Sequence, residues 1–143
     1  MAFLIKAELK TVATIPLINK LTDADDDIIT DIINESISLI RGKLSKFYDV
    51  ETIFNATGSD RNLTVLKYLK DIVIYEIYER CTRDQNLVAK RRRDEAMTEI
   101  DKLNTGDYFD RTLPARPSTE KTGSDTVGEM RFGNGNQQYS SNY

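Results

Sequence analysis

Asp23, Asp25 and Asp27 alternate along the chain with the spacing that opens a calcium loop. The rest of such a loop is missing. Counted from Asp23, the position that needs Gly for a tight turn holds Ile28, and the closing position that needs a bidentate Glu holds Asn34. The aspartates read instead as acceptors for the free amides at the start of a helix, where the positive dipole end also favours them. Histidine is absent and Cys81 is the single cysteine, so neither a Cys/His metal set nor a Ser-His or Cys-His nucleophile can be assembled. Asp71, Glu76 and Glu79 each have Lys or Arg three or four positions away, the spacing of solvated ion pairs. No Walker loop is present, and Gly133-x-Gly135 follows no strand. The expectation is a protein that is not an enzyme and carries no metal or cofactor.

Lys90-Arg91-Arg92-Arg93 is the one basic cluster. Four consecutive residues on a helix point to all sides, so Arg92 or a neighbour has to face the bundle or a partner. Asp94 and Glu95 can answer the cluster as a solvated face. Its functional readings are contact with a phosphate backbone or with an acidic neighbouring subunit. A net charge of −3 and a pI of about 5.1 exclude a globally basic nucleic-acid binder, so any DNA contact has to be local.

The elements that must position these residues are helical. Between residues 6 and 21, Leu9, Val12, Ile15, Ile18 and Leu21 recur every three residues and predict one or two short helices, with Pro16 in a first turn. The aspartate cluster then caps a long helix from about Asp26 to Tyr48, whose apolar stripe is Ile29, Ile33, Ile37, Ile40, Leu44 and Phe47. Asp49–Asn62 breaks the pattern and reads as a loop, with Ser59 or Asp60 capping the next helix. From Leu63 to Arg80 apolar residues face almost every direction, so this helix has to be surrounded. The last helix runs from about Asp84 to Asn104, presents Val88, Arg92, Ala96, Ile100 and Leu103 on one face, and ends at Gly106. The fold class is all-α, a small bundle with two or three long helices.

After Gly106 the composition changes. Asp107–Tyr143 has Leu113, Val127 and Met130 as its only aliphatics larger than Ala, too little apolar surface to offset its own ordering entropy. The expected division is a helical domain over residues 1–106 and an extended C-terminal arm over 107–143. Arg131, Phe132, Tyr139 and Tyr143 in the arm are of the types that anchor interfaces, and an extended segment can add to another chain. These four are the candidate partner-binding residues. Ordering of the arm is expected on assembly with a neighbouring subunit or another protein.

Phe3-Leu4-Ile5 is too short for a signal-peptide core, and no apolar run approaches the length of a membrane span. A lone cysteine suits a reducing compartment. The chain is expected to be made in the cytoplasm, without membrane contact, and the sequons at Asn34, Asn55 and Asn62 are then chance matches.

The pattern resembles the small helical head-tail connector, or adaptor, proteins of tailed bacteriophages, of the Mu-like type that docks beneath the portal. The residues carrying the resemblance span most of 3–106: the opening helix that ends in Leu21-Thr22-Asp23, Ile40-Arg41-Gly42-Lys43-Leu44 with Phe47-Tyr48, Asp71-Ile72-Val73-Ile74-Tyr75-Glu76-Ile77-Tyr78, and Asp94-Glu95-Ala96 leading to Gly106. Family members are usually proline-rich in the loop between the long helices, whereas Asp49–Asn62 has no proline. The closing Arg131-Phe132-Gly133 and Tyr143 are also similar to connector tails. The resemblance implies a non-enzymatic structural protein of the virion, a closed homo-oligomeric ring of commonly about twelve copies between portal and tail. Its partners would be the portal protein, tail or further connector proteins, and packaged DNA through nonspecific contact, with Lys90, Arg91, Arg92 and Arg93 at a subunit or channel surface. The alternatives are a small DNA-binding module that uses Lys90–Arg93 and a host-directed regulatory protein whose tail folds on a partner.

Overall fold

The computed structural model describes residues 2–117. Arg131, Phe132, Tyr139 and Tyr143 therefore lie outside the described residues. The described chain is all-α, as its apolar periodicity predicts. Lys6–Thr11 forms a 3-10 turn, and α1 (Ile15–Leu21) follows with Pro16 in its first turn and the Thr14 hydroxyl accepting from the Leu17 amide. Asp25 caps α2 (Asp26–Leu44), its carboxylate accepting from the amides of Asp27 and Ile28. The inward stripe of α2 is Ile29, Ile32, Ile33, Ile40 and Leu44, with Ile37 packed at its edge.

Two expectations about the 49–62 region are corrected. The segment is not a plain loop but holds the short helix α3 (Val50–Asn55), because Asp49 accepts the Thr52 amide and Ile53 and Phe54 find places in the core. The cap of α4 (Leu63–Cys81) is Asn62 rather than Ser59 or Asp60, its side-chain oxygen accepting from both Thr64 and Val65 amides at 3.0 Å. Ser59 and Asp60 belong instead to a separate 3-10 turn, Gly58–Asp60.

Val65, Leu66, Leu69, Ile72, Val73, Ile74 and Ile77 are all buried around α4, because α1, α2 and α5 pack against it. Its neighbours are thus elements of the same chain. Asn86 caps α5 (Leu87–Thr105), which begins three residues later than its sequence suggests because Thr82–Gln85 is spent on the turn. Gly106 ends α5 in the left-handed region at φ 83°, directly against Phe47, whose ring carbon would stand 3.3 Å from an added Cβ.

The arm is not free from its first residue. Residues 107–117 lie as a strap across the end of α2 and the start of α4. Leu113 is buried in the core, the Asp49 amide donates to the Pro114 carbonyl, and the Arg116 amide donates to the Phe47 carbonyl, both at 2.9 Å. Tyr48 sits under the strap, stacked on Phe109 with ring centres 5.1 Å apart, and its buried hydroxyl accepts the Asp110 amide at 2.8 Å. Asn62 donates to the Thr112 hydroxyl at 3.0 Å. The expectation that ordering waits for a partner is corrected for 107–117, since the body's own core receives Leu113.

At the other end, Arg61 holds the amino-terminal segment. Its guanidinium donates to the Phe3 carbonyl at 2.7 Å and to both Glu8 carboxylate oxygens, at 2.7 and 3.0 Å. Bonding from Arg61 holds the Glu8 carboxyl below its ordinary range, against the opposing effect of burial, and the Ile5 amide assists. A carboxylate with a lowered folded pKa adds stability that is complete above its unfolded pKa, about 4.3, and lost as pH falls through the folded value. Glu8→Gln should therefore cost about 1 kcal/mol at pH 7 and almost nothing at the acid end of a pH series of thermal melts. A cost that does not change with pH would refute this ion-pair account.

Candidate interaction surface

The structure separates the four residues of the basic cluster by role. Lys90 and Arg91 reach one turn along α5 to Asp94 at 2.9 Å and Glu95 at 3.4 Å. The Lys90 bond raises the ammonium pKa and lowers that of Asp94, as expected for a mutually supporting pair. Arg93 folds over α4, its guanidinium 4.3 Å from the centre of the Tyr75 ring, a cation-π contact. Arg92 is exposed and makes no ion pair among the described residues.

The expected inward face Val88, Arg92, Ala96 is therefore corrected to Ala89, Ala96, Ile100 and Leu103, with Val88 and Arg92 turned outward. Seven residues bring a helix back to within about 20° of its starting direction, whereas eight overshoot by about 80°. Ala89 shares the direction of Ala96 and Val88 does not. Arg93, four residues after Ala89, is the cation that the bundle covers.

Arg92 meets two other cations. Lys67 and Lys70 of α4 stand opposite Arg91 and Arg92 of α5, and the space between them is a groove of about 500 Å³ bounded on its far side by Thr11 and Val12. Lys67 pairs with the buried carboxylate of Asp71 at 2.9 Å. The solvated pair that the spacing predicts for Asp71 is corrected, because only its lysine is in solvent. Lys70 donates to the Thr11 hydroxyl at 3.1 Å and has no carboxylate partner among the described residues. The wall thus carries unbalanced positive charge from Lys70 and Arg92, beside the Glu95 carboxylate that Arg91 engages. Leu63, three-quarters exposed, stands at its rim. Such a surface can hold acidic or anionic groups with an apolar neighbour.

Lys67, Lys70 and Asp71 are a run of charged residues on α4, one turn after Leu63. That run was a legible signal, hidden by the apolar residues around it. Asp25 spends its carboxylate on the amides of Asp27 and Ile28, as a helix cap does. Among the described residues no group of three or more His, Cys, Asp or Glu is placed to hold a metal ion, and no helix is long and apolar enough to cross a membrane. Cys81 packs half-buried against the core, where burial pushes its thiol pKa up. No family model matches this chain, nor does any curated protein or solved structure.

Proposed function

We propose that the chain is a subunit of a virion ring, a head-tail connector that sits beneath the portal of a tailed bacteriophage and joins capsid to tail around the DNA channel. The observation that carries the proposal is the strap. Residues 107–117 are pinned to Phe47–Asp49 and the core, so whatever the arm binds is tied to one fixed point on a rigid helical body. An assembly subunit needs that connection, because force on the arm must reach the body. The body also presents side chains suited to contact, unpaired cations in a groove and an exposed Leu63, and the arm carries Arg131, Phe132, Tyr139 and Tyr143 toward a portal or a neighbouring copy.

On this proposal the subunit is made in the host cytoplasm, assembles into a homo-oligomeric ring, and meets portal, tail proteins and packaged DNA in the particle. A mass-spectrometric inventory of purified virions should contain the chain in fixed ratio to the portal protein. Its absence from particles, or tight salt-sensitive binding of the free subunit to duplex DNA, would transfer the case to the regulatory or DNA-binding alternative.

A further inference from the structure

The cationic groove has a chemical complement on the same chain. Asp27 and Asp31 lie one turn apart on α2, both exposed, and neither makes an ion pair among the described residues. Like charges at this spacing repel, so a cation supplied from elsewhere would stabilise the helix. Ile28 stands beside them and is more than a third exposed. Asp27 and Asp31 point away from the stripe that α2 gives to α4 and α5, and neither pairs with Lys70 or Arg92 within the chain.

We infer that the groove between α4 and α5 receives the acidic first turns of α2 from a second copy of this chain, Asp27 and Asp31 meeting Lys70 and Arg92, and Ile28 meeting Leu63. This inference rests on the ring reading and names its contact surface. Two different patches that complement each other make a head-to-tail interface, which repeats from copy to copy and closes as a ring when the rotation allows. A duplex backbone fits the groove less well. Leu63 offers a phosphate backbone nothing, whereas the α2 turn brings both the missing charge and an apolar neighbour.

The test is charge reversal with restoration, read by sedimentation of the full chain over a concentration series at low and moderate salt. Asp27→Lys with Asp31→Lys, and separately Lys70→Glu with Arg92→Glu, should each weaken self-association by at least about tenfold. A chain carrying all four substitutions should recover it, because each groove again faces an opposite charge. All of these side chains except Lys70 are exposed, so thermal melts should fall only slightly, most for Asp27→Lys, which puts a cation at the positive end of α2. If a reversal unfolds the chain, Asp27→Asn with Asp31→Asn must weaken association in the same sense. Association unaltered by the reversals overturns this interface and leaves the ring reading intact. A full chain that stays monomeric to millimolar concentration also overturns it, and the ring reading is then decided separately by the particle inventory. Binding of duplex DNA that is lost in Lys70→Glu with Arg92→Glu, with self-association unaffected, would assign the groove to nucleic acid.

Discussion

Replacing Ile40 or Ile77 by Ala should lower the unfolding free energy by about 2–5 kcal/mol, the range of large-to-small changes in a close-packed core. Ile40 lies on the inward stripe of α2 and Ile77 on α4, and both are almost completely removed from solvent. The cost combines lost transfer energy with the cavity left behind, and helices that already touch on several sides have little room to collapse into it. Against a domain stability of about 5–15 kcal/mol, either change is large enough to unfold part of the population at 37 °C. Leu63→Ala and Leu87→Ala serve as controls. Both residues are about three-quarters exposed, so each should change stability by no more than about 0.5 kcal/mol. Urea titration of the four variants checks the contrast, and equal effects at all four positions would contradict the assignment of these helices to one core.

The long helices were legible because each has an apolar repeat, although their ends were read less well than their cores. Asp25 and Gly106 act where cap chemistry places them, and the all-round apolar character of α4 corresponds to three helical neighbours in the same chain. The short elements were less legible. Asn62 caps α4 with an ordinary amide side chain, and the turn-forming residues before it, Thr57 to Asp60, gave an equally good local signal. Only the phase of Val65 and Leu66 against the core decides between them.

The surface was legible in composition and not in placement. Lys90–Arg93 is conspicuous in one dimension, yet on the helix Lys90 and Arg91 are answered by Asp94 and Glu95 while Arg93 covers Tyr75. The residue left over, Arg92, acquires its setting from Lys70, which is distant in sequence and lies on a helix dominated by apolar side chains. Such a juxtaposition depends on how α4 and α5 pack and has no local signature.

The strap shows the same limit, and it predicts a contrast between two truncations. Ending the chain after Pro117 should leave the thermal stability of the body nearly unchanged, because the segment removed has only Val127 and Met130 as large aliphatics. Ending it after Gly106 should cost about 2–4 kcal/mol, since burial of Leu113 and the Tyr48–Phe109 stack are lost, partly offset by the freed entropy of the strap. Tyr48 would also lose the Asp110 amide that occupies its hydroxyl, and Phe47 and Asp49 would lose backbone partners. Assembly, on the proposed reading, does not separate the two chains. Both truncations remove Arg131, Phe132, Tyr139 and Tyr143, so if the chain is the proposed connector both should fail to attach to a portal or neighbouring ring, although the longer one folds normally. Melts of the two purified truncations measure the first half, and complementation of particle assembly measures the second. Equal stability of the two truncations would show that the strap adds nothing to the body, and infectious particles built from the chain ending at Pro117 would remove the arm from the assembly function.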